Sequence, residues 1–316
     1  MNNNQWIRKA GLFLFNEREA LDLSELHFKF DTEGAQVESP NSAVIRIYNL
    51  SKQTLDRVTV NGEFNQISLN AGYLNGNYGV IFQGYIKQFK IGKENATDTY
   101  LDIFAADGDI QYNQGTVNTT LTGNNNTPAK IIEAIGQSSN LQINDYTILT
   151  DKQHVPNIRG TVLFGMARAR LRNIITSLDA TWSIQEGKLV IIENTGYLPG
   201  EAVQINVSTG LVGVPEQTDS GIKIRSLLNS NLRIGGLVQL NNNEINTLMQ
   251  QNPDMAPIPY DQWTGFQNTA ALSPTGTYMV FSVKHSGDTR GQEWYSNLIC
   301  LAVDITSPIN NSVAPQ

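Results

Sequence analysis

The chain predicts a mainly β protein with an α+β region in its middle. Three observations carry this. The first and last thirds hold short runs in which apolar and polar residues alternate, punctuated by Gly, Pro and Asn, as half-buried strands and turns do. Between them lie two segments with helical spacing of apolar residues. Charged residues make up only 16% of the 316 residues while hydrophobic residues make up 40%, against about 25% charged in an average soluble domain. Uncharged polar side chains fill the gap. They suit sheet surfaces and packed protein–protein faces, where a charge is costly to desolvate.

In the first third, Leu26, Phe28 and Phe30 alternate with His27 and Lys29. Val44 to Leu50, Ile67 to Tyr73, Val80 to Phe89 and Thr99 to Ala105 read as further strands, the last ending in Ala106-Asp107-Gly108-Asp109. Ser51 is placed to cap a short helical turn over residues 51–56. Asn75-Gly76 predicts a hairpin turn, because both residues tolerate positive φ. Residues 1–110 thus form one β domain, a sandwich or barrel. Residues 111–126 are polar and turn-rich and read as a linker.

The middle domain, 111–198, starts its first helix at Thr127-Pro128, a cap hydroxyl followed by proline at the first helical position. Ile131, Ile132 and Ile135 face one way and Gly136 ends the helix. A second helix over about 166–178 places Leu171, Ile174, Ile175 and Leu178 on one face and Arg168, Arg170 and Arg172 elsewhere. Two strands, Thr181 to Gln185 and Lys188 to Ile192, flank a turn at Glu186-Gly187.

Residues 199–316 return to β, with strands over 203–207, 222–227, 237–240, 276–284 and 298–304. The stretch 241–271, with prolines at 253, 257 and 259, reads as a helix and a long surface excursion, and 307–316 as a mobile tail. Gly210, Gly213, Pro215 and Gly221 punctuate the entry to this domain, and replacing Gly213 with valine is expected to disrupt folding or assembly.

Function classes narrow by elimination. A net charge of −7 disfavours a nucleic-acid-gripping surface, which needs clustered cations. The single cysteine, Cys300, permits no internal disulfide and reads as a buried thiol. No run approaches the roughly 18 apolar residues of a membrane span. The N-terminal apolar patch lacks the long apolar stretch of a signal peptide, so synthesis in the cytoplasm is expected. His285-Ser286-Gly287-Asp288 is the one cluster that resembles a catalytic site. A hydrolase would use His285 as a base oriented by Asp288, but no Gly-x-Ser-x-Gly supplies a nucleophile. The preferred reading is a hairpin reversal at Gly287-Asp288, with Gly291 and Trp294 beyond it. His27, His154 and His285 lie far apart, and neither zinc, calcium nor phosphate-loop spacing occurs. No cofactor or metal is expected. The arginines of residues 167–172 read as a solvated helix face.

Several motifs fall in a recognisable order: VIRIYNLS (44–51), AGY (71–73), VIFQGYI (80–86), TYLDIFAADGD (99–109), TPAKIIEAI, RGTVLFGMARARLRNI, TWSIQEGKLVI, TGLVGVPEQTDSGIKIRSLLN and YMVFSVKHSGDTRGQEWYSNLIC. Together they resemble the baseplate hub proteins of contractile-tailed bacteriophages over nearly the whole chain. The resemblance implies two related tube-like β-barrel domains, here 1–110 and 199–316, with a smaller domain inserted. It implies a homotrimer whose six tube domains form a pseudo-six-fold ring between the six-fold tail tube and a three-fold spike. Partners would be tube or tube-adapter proteins, the spike and other baseplate proteins, with DNA as passing cargo, no membrane anchor, and the virion as location. Structural roles are then expected for Tyr48, Asn49, Leu50, Gly84, Asp107, Gly108, Gly210, Gly213, Pro215, Gly221, Gly287, Asp288, Gly291 and Trp294. The rival readings are a tail-associated peptidoglycan hydrolase and a carbohydrate-binding module using Tyr260, Trp263 and Phe266.

Overall fold

The computed structural model describes residues 5–143, 154–194, 196–218, 221–241, 273 and 275–303. The expected excursion, its aromatic residues and the C-terminal tail lie outside them. The chain opens with β1 (Arg8–Phe15) and β2 (Ala20–Asp22), a hairpin absent from the sequence reading. The run Ala-Gly-Leu-Phe-Leu-Phe is almost continuously apolar, so its period of two is invisible, yet Leu12 and Leu14 are fully buried. Next come β3 (Phe28–Ala35), β4 (Ser42–Tyr48), α1 (Lys52–Thr59), β5 (Gln66–Tyr73), β6 (Tyr78–Lys93) and β7 (Thr99–Ala106). Ser51 caps α1 by accepting the Thr54 N–H. The hairpin between β5 and β6 exists, but neither Asn75 nor Gly76 takes positive φ.

The middle region holds α2 (Asp109–Gln114), β8 (Thr116–Leu121), α3 (Pro128–Ser138), β9 (Gln142–Ile143), β10 (Thr161–Met166), α4 (Ala167–Thr176), β11 (Ala180–Gln185) and β12 (Lys188–Glu193). The linker expected over 111–126 is therefore structured. Its polar strand β8 pairs with β10 as a two-stranded ribbon, and only Val117 of β8 is fully buried. Polar composition there reflects a strand with one face in water. Thr127 caps α3 as expected, but the helix runs past Gly136, which is buried in it. Ile131, Ile132, Ile135, Leu171, Ile175, Trp182, Leu189 and Ile191 form the core of this region.

The last third comprises β13 (Val203–Gln204), β14 (Glu216–Thr218), β15 (Gly221–Leu227), β16 (Leu237–Gln239), β17 (Thr277–Asp288) and β18 (Trp294–Ala302). The core of this part lies among Ile222, Ile224, Val238, Tyr278, Val280 and Leu298. The expected hairpin reversal at Gly287-Asp288 is displaced. β17 continues through both residues, and the chain turns between Asp288 and Trp294. Asp288 closes that turn by accepting the N–H groups of Arg290 and Gly291 on Oδ1.

The two β-rich parts repeat one strand order. In the first it runs β3-β4-β7-β6-β5-β1, and in the last third β14-β15-β18-β17-β16-β13. Five strands correspond in position and direction; β13 runs parallel to β16 where β1 is antiparallel to β5. Registers correspond too. Arg46 faces Asp102 and Arg225 faces Asn297, and each hairpin carries a bulge at the same point, after Ile86 and after Val280. The Arg46 guanidinium lies 4.0 Å from the Tyr100 ring centroid, and that of Arg225 lies 4.1 Å from the Tyr295 ring. The repeat is legible in sequence as VIRIYNLS (44–51) against KIRSLLNS (223–230). Both parts join in one 13-stranded sheet through antiparallel pairing of β3 with the distal half of β17.

One difference between the repeats gives a test. Arg46 holds the buried Asp102 carboxylate with two bonds, 2.7 and 3.0 Å, whereas Arg225 faces a neutral amide. Hydrogen bonds to charged groups contribute about 1.5–3 kcal/mol. Asp102→Ala is expected to lower the unfolding free energy by roughly that amount, and Asn297→Ala by well under half of it, in denaturant titration.

Candidate functional site

Six of the fourteen expected structural residues, Asp107, Gly108, Gly287, Asp288, Gly291 and Trp294, fall at joints between parts of the chain. Where β17 enters the first unit, Gly287 packs against Phe30 and Trp294; a Cβ there would sit 2.4 Å from the Phe30 ring. Trp294 is buried in the first unit's core although it comes from the last third, edge-on to Phe30 at 5.5 Å. Asp288 Oδ1 lies 2.8 Å from His27 Nε2, and its Oδ2 lies 3.6 Å from Lys29 Nζ. Burial pushes the Asp288 carboxyl up, but the Arg290 N–H, His27 and the Gly291 N–H outweigh it and hold the group below its ordinary range. Arg8, which the sequence reading did not single out, donates to the Gly291 and Gln292 carbonyls at 2.7 and 2.9 Å, with its guanidinium over the Trp294 ring. The N-terminal strand is thereby tied to the last hairpin.

The same geometry bears on the hydrolase reading. His285 and Asp288 belong to one strand, and neither is the other's partner. His285 Nδ1 meets Ser296 Oγ at 2.8 Å, while Asp288 meets His27. Burial pushes the His285 ring down to about 4, so it is neutral at pH 7. Ser296 is itself fully buried and also accepts the Asn229 N–H. A buried Ser–His contact of this kind presents no nucleophile to solvent.

A second joint holds the middle region. Asp107 follows β7 and is buried; its Oδ2 and Oδ1 accept the N–H groups of Glu186 and Gly187 at 2.6 and 2.8 Å, at the tip of the β11–β12 hairpin. Asn41 Nδ2 donates to the Ile184 carbonyl at 3.1 Å. Gly108 is the N-cap of α2 in a left-handed conformation. The arginines of α4 are engaged rather than merely solvated. Arg168 reaches Asn113, Arg170 the Phe164 carbonyl, and Arg172 pairs with Glu38 of the β3–β4 connection. Beside this joint opens a cleft of about 440 Å³, lined by Asp107, Glu186, Lys188, Arg233 and His285 among others. Among the described residues no cluster of His, Cys, Asp or Glu has the arrangement of a metal site.

The remaining positions are spread along the fold. Tyr48 ends β4 and stacks on His27 at 4.4 Å, Asn49 follows at φ 54°, and Leu50 packs against the core of the first β unit. Gly84 lies in β6 opposite Ile67. Gly210 follows a 3-10 turn (Val207–Thr209), its carbonyl accepting the Leu227 N–H. Gly213 takes φ 75° with open space around it, Pro215 precedes β14, and Gly221 begins β15.

Two expectations follow. Gly287→Ala must displace buried aromatic rings, and overpacking of this kind costs about 1–3 kcal/mol or more. Gly213→Ala meets only the left-handed backbone penalty of about 1–2 kcal/mol. Thermal denaturation is expected to rank Gly287→Ala as the more damaging. For Asp107, burial outweighs the two backbone N–H groups and pushes the carboxyl up to about 7, from about 4 in an unfolded chain. The native state then holds this proton more tightly than the unfolded chain. The stability it contributes is complete below about pH 4 and is lost as pH rises to about 7. Asp107→Asn is expected to flatten that part of the melting-temperature profile.

Comparison with known proteins assigns the fold and the family. No curated protein matches the sequence. The 43 kDa tail protein of prophage MuSo2 from Shewanella oneidensis has the same fold, with a TM-score of 0.56 at 7% identity over 93% of this chain and 98% of that one. A tail protein from Neisseria meningitidis MC58 matches with a TM-score of 0.54 at 8% identity, covering 94% and 97% of the two chains. The Escherichia coli c3393 protein, a type VI secretion component described as similar to the T4 tail proteins gp27 and gp5, matches with a TM-score of 0.53 at 11% identity over 87% and 73%. The family model of baseplate hub gp41 matches residues 24–260, most of the chain. The chain belongs to the baseplate hub gp41 family and is a structural component of a phage tail baseplate.

Proposed function

We propose that this chain acts as a homotrimeric hub without enzymatic activity, joining a six-fold tail tube to a three-fold spike. The observation that carries this reading is the internal repeat. One chain contains two β units of the same strand order, fused edge to edge in one sheet. Three such chains supply six similar units, the number a tube of six-fold symmetry meets, while the assembly keeps the three-fold symmetry of a spike. Closed rings arise from head-to-tail contacts of this kind when the rotation per unit closes. The middle region then projects beside the ring, held by Asp107, Asn41 and Arg172. A net charge of −7 suits a conduit that repels the DNA backbone, and a strongly basic lumen would contradict that part of the reading. The engaged His285, Ser296 and Asp288 argue for a scaffold over a peptidoglycan hydrolase.

The test is the mass and symmetry of the purified full chain. Multi-angle light scattering is expected to give three times the 34.9 kDa chain mass, and low-resolution electron microscopy a three-fold ring with six similar lobes. A compact monomer at every concentration would overturn the trimer. Clearing of a peptidoglycan zymogram that is lost in His285→Ala would overturn the non-enzymatic reading.

A further inference from the structure

The chain already contains one example of the contact that a ring of such units needs. Beyond its bulge, β17 leaves its own unit and pairs antiparallel with β3, in the register Lys284↔Glu33, His285↔Thr32 and Ser286↔Asp31. Lys284 Nζ lies 3.8 Å from Asp31 Oδ1 across that seam. The counterpart of β17 in the first unit is β6. It has the matching bulge, and it also runs on past it, pairing with β7 out to Lys93↔Thr99. Its other neighbour, β5, accompanies it only as far as Tyr85. Among the described residues, Gln88 to Lys93 therefore carry a paired strand on one edge only. Ile91 is 56% exposed on this stretch.

The counterpart of β3 is β14, the terminal strand of the sheet among the described residues. Glu216 faces Lys223 of β15 as Asp31 faces Val44 of β4. Transferring the internal register through the two bulges puts Lys90 where Lys284 stands, Ile91 at His285 and Gly92 at Ser286. The same transfer puts Glu216 where Asp31 stands, Gln217 at Thr32 and Thr218 at Glu33.

We propose that the distal half of β6 in one copy pairs antiparallel with β14 of a second copy of this chain, in the register Lys90↔Thr218, Ile91↔Gln217 and Gly92↔Glu216. Lys90 and Glu216 then reproduce between copies the ion pair that Lys284 and Asp31 make within one. Lysines on an edge strand also serve to discourage pairing, and Lys87 is already engaged with Asp109. Two features favour the docking reading: an acidic residue stands on β14 at the position that meets Lys90, and an exposed isoleucine lies beside that lysine. Head-to-tail pairing of unlike edges is a heterologous contact, which generates a ring when it closes. The inference rests on the trimer reading above and specifies which edges meet.

The test uses the full chain carrying Ile91→Cys and Gln217→Cys together. Directly paired residues in an antiparallel ladder have Cα atoms about 4.5–5.5 Å apart, within disulfide reach, and the native Cys300 is fully buried. Mild oxidation is expected to produce covalent multimers up to the trimer on a non-reducing gel, reversed by reductant and absent from either single variant. A second measurement does not depend on cysteine chemistry. Lys90→Glu or Glu216→Lys is expected to weaken association several-fold by light scattering, and the double reversal to restore it. A parent chain that is trimeric, with no cross-link and no restoration in the double variant, would overturn the edge assignment and leave the trimer standing. A parent chain that stays monomeric, with no cross-link, would overturn both.

Discussion

The antiparallel seam between β3 and the distal half of β17 is the contact on which the rest of the architecture depends. Leu228 in the core of the first unit and the Asn77–Asn229 hydrogen bond reinforce it. With it, strands separated by some 250 positions in sequence share one ladder, and the last hairpin supplies Trp294 to the core of the first unit. Each backbone hydrogen bond contributes only about 0.5–1.5 kcal/mol net, so the seam gains its rigidity from what surrounds it. Gly287 lets the backbone approach Phe30, Asp288 gathers His27 and the turn amides, and Arg8 grips the far side of the same turn.

The middle region is attached by a different physics. Its own core is closed around Trp182, Ile131 and Leu171. Its attachment to the first unit leans on directed polar contacts: a carboxylate cradling two amides, an asparagine on a carbonyl, an arginine on a glutamate. Such contacts fix orientation more than they contribute stability. The raised pKa of Asp107 expresses the same balance, since burying that carboxyl costs more than its two amide partners return.

Much of the fold was legible in the residues. The caps at Ser51 and Thr127, the alternation of β5 and the helical face of α4 each rest on interactions within a few positions, and local rules capture those. Sequence and structure differ where the pattern is masked or the partner is remote. β1 was hidden by an apolar run and β8 by a polar one. Gly287-Asp288 looks like a reversal locally, whereas Gly287 is small to admit Phe30 and the turn follows Asp288. Arg8 carried no local signal at all, because its partners lie at the other end of the chain.

Composition and motif order are enough to assign the class of protein: β-rich, sparsely charged, without the spacing of any familiar catalytic or metal site, and bearing the ordered motifs of a baseplate hub. The residues also carry the internal repeat, VIRIYNLS against KIRSLLNS. It took the three-dimensional arrangement to show that the two halves share one sheet, that His285 faces Ser296 rather than Asp288, and that β14 ends the sheet among the described residues. The physical reason is that side-chain periodicity records which face of a strand is buried, not which strand lies beside it. Strand neighbours are chosen by backbone hydrogen bonds that every residue except proline can make, and so they leave almost no mark in the order of the amino acids.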